Sequence, residues 1–412
     1  MLCGMEPPTR RPRIALYGHD TQGLGHLRRN LVLSTAFASD LPEGLGAEVM
    51  LLTGASEVGM FPRAEGVDAL VLPGIRKEAC GRYAPRHLRG SLSDVVGFRT
   101  SLITAALATF NPDLLVVDKV PRGFGGELET ALGQVRDRGT RTVLGLRDVL
   151  DDPAATAAQW QADAADEAVR TRYDEVWVYG DPNVHDLTAA TGMSPDVAAR
   201  THHLGYLSAD RMAADERDHR PATNGRDYVL VMVGGGQDGA HVAYRAAQMT
   251  PPPGMDLIVL TGPQLAEPQV RRVRRAAAGR ADVQVMRFSR HGAAWLAGAR
   301  AVITMGGANT VAEILDTDVP ALIVPRTTPR AEQLVRAQAL TRQGHLAFLR
   351  PEQVTTECLQ QWVYAAVGTR VDRRGLSRNG IRAATERARI LLDRPVSSLP
   401  SLTFTSRSSH VV

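Results

Sequence analysis

Four segments of this chain bring together residue types that do chemistry. The first is Met305 to Glu313 (MGGANTVAE), which follows the apolar run AVIT and has the look of a helix opening directly after a strand. At such a junction Gly306 and Gly307 let backbone N–H groups approach a phosphate at the helix N-terminus, and Thr310 adds a hydroxyl. Glu313 lies about one turn further on, and a carboxylate there suits the two neighbouring hydroxyls of a ribose. The bland alternative is a tight strand-to-helix turn. The second segment, PRTTPRAEQLVRAQAL (Pro325 to Leu340), carries Glu332 and Gln333 at the start of a helix. An acid and an amide side by side can read several sugar hydroxyls, although such a pair also decorates many helix N-termini.

The third segment, VGGGQDGAH (Val233 to His241), has glycines 234, 236 and 239 spaced as in a dinucleotide-binding turn. That reading needs an acid after the next strand, and LIVLTGP ends in Thr261 and Gly262, which argues against nicotinamide binding. The fourth, GHDTQGLGHLRR, sets His19, Asp20 and His26 around a bend containing Gly23 and Gly25 at the end of the first apolar run. Histidine takes up a proton near neutral pH, so one of these is a candidate general base. Arg28 and Arg29 read as charges on a helix surface.

The elements that must hold these segments recur along the chain. RIALYG, AEVMLLTG, VDALVLPG, PDLLVVD, RTVLGLRD and EVWVYG are short apolar runs of strand length, separated by helical spacing such as Val95 to Phe110. YVLVMVGGG, MDLIVLTG, VQVMRF, ARAVITMGG and PALIVP repeat the alternation in the second half. Alternating strands and helices imply right-handed crossovers and parallel sheets. The fold class expected is therefore α/β, with two Rossmann-like doubly wound domains facing across a cleft at the carboxyl ends of their strands. A loose N-terminus (1–11) precedes a first Rossmann-like domain over 12–205. A polar linker (206–225) leads to a second such domain over 226–375. Helical spacing then runs from Leu376, giving a C-terminal helix (376–394) packed back toward the first domain, and a Ser- and Thr-rich tail (395–412) with little to bury.

The combination GLGH, GGGQDG, FSRHGAAWLAGARAVITMGGANTVAEIL and PRAEQ resembles the GT-B glycosyltransferases, in particular the bacterial N-acetylglucosaminyltransferase that makes lipid II and predicted glycosyltransferases related to it. The motif likeness is concentrated in Phe288 to Leu340. It implies that Gly306, Gly307, Asn309 and Thr310 lie by a donor diphosphate, with Gly236 and Gln237 also on the donor nucleotide side. It further implies that Glu313 binds ribose, and that Phe288 and Ser289 border the nucleobase. Glu332 and Gln333 fall where that family has a Gln-Gln pair reading the sugar, so the donor sugar is left open. His26 matches the histidine of the family's Gly-Gly-His loop, whereas His19 and Asp20 have no counterpart. After RTVLGL the family has His-Glu-Gln-Asn and this chain has Gly145, Leu146, Arg147 and Asp148. Acceptor contacts are accordingly expected from Arg147, Asp148 and Lys119, in loops that include Arg76 to Pro85 and Lys119 to Gly126.

The activity expected is transfer of a sugar from a nucleotide-diphosphate sugar to an acceptor hydroxyl or amine. His26 would be the base, His19 or Asp20 would assist, and the leaving diphosphate would be stabilised by backbone N–H groups without a metal. The acceptor is expected to be a small or lipid-linked molecule. A sugar-nucleotide hydrolase of the same fold is the rival, because one such family has a Gly-His-x-x-Arg loop matched by Gly25, His26 and Arg29. A related epimerase and a non-catalytic effector-binding module are weaker alternatives.

Composition bounds the rest. The 412 residues exceed one ordinary core, and 44% hydrophobic with 22% charged residues is a globular balance. The net charge of +4 is spread over scattered arginines, and only Lys77 and Lys119 are lysines, so no nucleic-acid partner is expected. Cys3, Cys80 and Cys358 are too far apart for a disulfide framework or a paired-cysteine zinc site. No apolar run reaches the roughly 18 residues that span a bilayer, and MLCGMEPPTRRPR lacks a secretory apolar stretch, so a cytoplasmic place is expected, with no resident cofactor and no indicated membrane contact.

Overall fold

The computed structural model describes residues 10–20, 24–41, 46–78, 82–208, 221, 223, 225–235, 238–289 and 291–393. Most of the interdomain linker, the N-terminal segment up to Thr9 and the C-terminal tail fall outside the described residues, as do Gly236 and Gln237.

The first half is built on β1 (Arg13–Gly18), β2 (Glu48–Thr53), β3 (Val67–Val71), β4 (Ile75–Lys77), β5 (Tyr83–Pro85), β6 (Leu114–Asp118), β7 (Arg141–Arg147), β8 (Glu175–Tyr179) and β9 (Thr201–His203). Seven of them form one parallel sheet in the order β3-β2-β1-β6-β7-β8-β9, while β4 and β5 make a separate antiparallel pair. The second half carries β10 (Asp227–Met232), β11 (Met255–Leu260), β12 (Val283–Met286), β13 (Ala301–Thr304), β14 (Ala321–Ile323) and β15 (Ala347–Phe348), a parallel sheet in the order β12-β11-β10-β13-β14-β15. Each apolar run singled out in the sequence is a strand. Both faces of each sheet are covered, which is why β6 reads as LLVVD with every residue buried.

In the first sheet, Ile14 and Leu16 pack on one face against Leu33 and Phe37 of the helix Gly25–Asp40, and Ala15 and Tyr17 pack on the other against Ile103 and Leu107 of the helix Leu92–Phe110. The latter helix starts in a capping box between Ser91 and Asp94, which satisfies two of its otherwise orphaned amides. The final helix, Gly380–Asp393, follows the second half in sequence yet packs on the first: Ala384, Ala388 and Leu391 are fully buried in the cluster that holds Ile14, Phe37 and Trp177. Burial of Leu391 alone is worth about 2 kcal/mol. Arg387 of the same helix ion-pairs with Glu175 in β8.

The chain therefore crosses between the halves twice, and the crossings touch. Tyr206 N donates to Ser377 O at 2.8 Å, and Gly380 N donates to Tyr206 O at 3.0 Å. Gly205 has φ +86°, and a Cβ there would lie 2.8 Å from Ser377 O. One on Gly380 would lie 2.4 Å from Gly205 O, so glycine is required at both.

Candidate active site

Each sheet has one place where the chain leaves one side and resumes on the other. In the first it lies between β1 and β6, and in the second between β10 and β13. Loops leaving neighbouring strands at such a point diverge and open a crevice. The two crevices face each other in one cleft of 1540 Å³, lined by His19, His26, Lys119 and Arg147 from the first half and by Phe288, Gly307, Thr310, Glu313, Glu332 and Gln333 from the second.

On the first side, His26 is on the opening turn of the helix Gly25–Asp40, and Asp118 is the last residue of β6. His26 Nδ1 is 3.0 Å from Asp118 Oδ2. Arg29, one turn along the same helix, reaches the same carboxylate with Nε to Oδ2 at 3.1 Å and Nη2 to Oδ1 at 2.7 Å. Burial alone would raise the Asp118 carboxyl; Arg29 and then His26 outweigh it and hold it well below the usual carboxylate range. An ionised Asp118 fixes the Nδ1–H tautomer of His26 and leaves Nε2 as the basic nitrogen. Arg29 Nη2 is also 3.3 Å from Nδ1, but its bonds go to Asp118, since a nitrogen that donates cannot also accept.

His19 stacks at a tilt beside His26, with ring centroids 4.6 Å apart. Burial and then the neighbouring His26 push the His19 imidazole well below its ordinary range. Asp20 does not line the cleft: it is 1% exposed and its carboxylate accepts the Thr53 hydroxyl, while burial raises its pKa. Asp20 (φ +46°) and Lys119 (φ +73°) both adopt left-handed backbone at the strand ends beside the crevice. Such conformations cost a non-glycine residue about 1–2 kcal/mol and concentrate at functional sites.

On the second side, Gly307 is the N-cap of the helix Ala308–Leu315, and no side chain caps that first turn. Gly306 has φ +82°, and a Cβ would fall 2.6 Å from Ile323 Cγ2, whereas nothing lies within 4 Å of one on Gly307. Asn309 Nδ2 donates to Gly25 O across the cleft at 3.0 Å. Glu313 is paired with Arg28. Phe288 meets Phe61 of the first half edge to face, centroids 6.1 Å apart, and Ser289 Oγ accepts from His291 N. Gln333 Oε1 accepts from Arg326 N at 2.8 Å, and Glu332 is paired with Arg326 while standing 3.8 Å from Arg147 Nη1. Lys119 and Arg147 line the cleft, and burial pushes Arg147 down to about 10. Asp148 does not: Arg336 holds it from the helix Glu332–Arg342 of the second half, and Arg336 Nη1 also donates to Gly306 O at 3.1 Å. Among the described residues no group of three or more His, Cys, Asp or Glu side chains is arranged to hold a metal ion.

The sequence reading missed Asp118 and Arg336, and gave Arg29 a place only in the hydrolase-like loop with Gly25 and His26. Arg28 and Arg29 are not helix-surface charges, because Arg28 engages Glu313 and Arg29 is buried against Asp118. A signal for Asp118 was present: an acid closing an entirely apolar run at the carboxyl end of a parallel strand.

Residues 229–379 match the model of the glycosyltransferase family 28 C-terminal domain. That match falls within the second half and covers a little over a third of the chain. The matched span contains both Met305 to Glu313 and the Glu332-Gln333 pair. A relative from Shouchella clausii (strain KSM-K16), UDP-N-acetylglucosamine--N-acetylmuramyl-(pentapeptide) pyrophosphoryl-undecaprenol N-acetylglucosamine transferase, is 38% identical over 71 residues, which is 17% of this chain and 20% of that relative. The chain thus spans about a fifth of the length of this curated relative. Solved structures resemble the whole chain. The kitacinnamycin glycosyltransferase has a TM-score of 0.60 at 16% identity, with 93% of this chain and 98% of that one covered. A calicheamicin glycosyltransferase gives 0.57 at 17%, covering 92% and 97%, and MurG of Acinetobacter baumannii gives 0.51 at 16%, covering 92% and 99%. At these identities the likeness establishes the fold alone, which is GT-B.

Proposed function

We propose that this protein transfers a glycosyl group from a nucleoside-diphosphate sugar to an acceptor hydroxyl or amine, without a metal ion. The observation that carries the reading is the opposition of two devices across one cleft: the His26–Asp118 pair on the first sheet, and the uncapped helix start at Gly307 on the second. Backbone N–H groups from Gly307 to Asn309 suit the charge that grows on a departing diphosphate, because they are fixed in place before reaction begins. Glu313 takes the ribose hydroxyls, Phe288 and Ser289 border the base, and Glu332 with Gln333 reads the sugar. His26 Nε2 takes the acceptor proton as the new glycosidic bond forms, and Asp118 stabilises the imidazolium that results. A carboxylate already neutralised by Arg29 can orient the ring without drawing the proton onto itself. The family 28 match over 229–379 supports the donor half of this reading, and the placement of His26 supports the acceptor half.

Incubation of the protein with UDP-, GDP- and dTDP-sugars, with and without a panel of hydroxyl and amine acceptors, tests it. Acceptor-dependent nucleotide release, lost in His26→Ala, is the expected result. Stoichiometric release of free sugar without acceptor would replace transfer by hydrolysis, for which Gly25, His26 and Arg29 also provide the parts. Activity undiminished in His26→Ala removes the base. The reaction is proposed to take place in the cytoplasm.

A further inference from the structure

Lys119, Arg147 and Arg330 make a cationic corner of the cleft that the transfer chemistry above does not use. Lys119 follows Asp118, and its left-handed backbone (φ +73°) is pinned by Lys119 N to Gly145 O at 2.8 Å and Val120 N to Asp118 O at 2.9 Å. Arg147 closes β7, the strand next to β6, and Arg330 comes from the opposite half, just before the Glu332 helix.

Two carboxylates border the corner, each held by hydrogen bonds through one oxygen only. Glu332 holds Arg326 and keeps only a long contact of 3.8 Å with Arg147. Asp151 accepts from Ala331 N at 2.8 Å and stands 4.0 Å from Arg330 Nε. Lys119 has no salt-bridge partner among the described residues, and Arg147 Nε is buried without a hydrogen-bond partner. Burial, then Arg147, then Arg330 press the Lys119 ammonium well below the ordinary lysine range. Three cations brought this close in a half-buried corner repel one another, and an anion among them turns that repulsion into attraction.

The diphosphate has its own cradle at Gly306 to Thr310, so this corner is surplus to the donor. Two of its three cations belong to the first half, beside His26. The adjoining wall is apolar and also from the first half: Tyr83 and Phe124 meet edge to face at 4.9 Å, with Leu150 and Trp160 lining the same cleft.

Resting on the transfer reading, we propose that the acceptor carries a carboxylate or phosphate, and that Lys119, Arg147 and Arg330 bind this group while the apolar wall takes the body that bears it. Arg147 and Arg330 offer planar forks that match either oxyanion, and Lys119 adds a point charge between them.

The test uses the full-length protein saturated with whichever of UDP, GDP or dTDP raises its melting temperature. Phenyl phosphate, benzoate and benzyl alcohol are then titrated calorimetrically into wild type, Lys119→Met, Arg147→Gln and Arg147→Lys. Binding of phenyl phosphate or benzoate but not benzyl alcohol is expected, weakened about tenfold in Lys119→Met and Arg147→Gln and less in Arg147→Lys. The better of the two anions identifies which oxyanion the corner takes, and melting without ligand confirms that each variant is folded. Equal binding of all three probes, or wild-type affinity in both neutral variants, overturns the proposal while leaving the transfer reading intact. If no nucleotide shifts the melt, the transfer reading itself falls, and this proposal with it. If Arg147→Gln instead weakens UDP-glucuronic acid while sparing UDP-glucose, the anion belongs to the donor sugar and the acceptor assignment is overturned.

Discussion

Arg336 and Asp148 join the two halves of the molecule through a two-point ion pair, Nε to Oδ2 and Nη2 to Oδ1 each at 2.6 Å, with both side chains almost fully buried. Two charges removed from water hold together only while both are present, since loss of one leaves the other uncompensated. Arg336→Met and Asp148→Leu are therefore each expected to cost about 3–5 kcal/mol in chemical denaturation. The double variant should recover much of that loss. A double variant as unstable as the sum of the singles would show that the pair is not a unit.

The Asp118 carboxylate orients His26 in the proposed mechanism. Asp118→Asn keeps the shape but no longer imposes the Nδ1–H tautomer, so turnover should fall by about 10²–10⁴-fold. Nucleotide binding, which is proposed for the opposite wall, provides the comparison in a thermal-shift measurement. Loss of both in equal measure would point to a structural fault.

His19 gives a pH signature. Its folded-state pKa is depressed, mainly by burial and then by His26. Below its unfolded value of about 6.5 the unfolded chain binds a proton that the native one refuses. The native state is therefore favoured fully above that pH, and the advantage is lost as pH falls toward the folded pKa. The contribution to the slope is at most about 1.4 kcal/mol per pH unit. Urea denaturation of wild type and His19→Gln between pH 7 and 5 should give a shallower slope for the variant; identical slopes would remove His19 as the cause.

Gly306 and Gly307 should separate in their effects. Gly306→Ala meets both a left-handed backbone and Ile323, so a loss of about 1–3 kcal/mol is expected. Gly307→Ala has open space and ordinary φ of −60°, so the melting temperature should hold. The added methyl stands at the helix start, so nucleotide affinity is the quantity that should fall. A Gly307→Ala protein binding nucleotide normally would move the phosphate elsewhere.

The sheets were legible because parallel strands buried on both faces have no polar face to alternate with, and runs such as LLVVD and VITM stand out. The hairpin β4 and β5 was not: three residues each, with Arg76 and Lys77 in one arm, it falls within a stretch read as a loop. β9 and β15 are likewise too short to show a period. The strand-to-helix turn at Gly306 could be read because its residues are contiguous. His26 could be nominated from its loop, but Asp118 lies on another strand and was passed over. Arg29 read as a helix-surface charge and Arg336 drew no reading, since only the tertiary fold brings each to a buried acid.

The double crossing of the chain ties the two halves together at one place. Gly205 beside Ser377 and Gly380 beside Tyr206 act as two pins of a door frame, and the last helix is bolted to the first sheet. A widening of the cleft that kept both contacts would pivot beside them and carry the far rim furthest, with Asp148 standing next to Tyr206 at the near end.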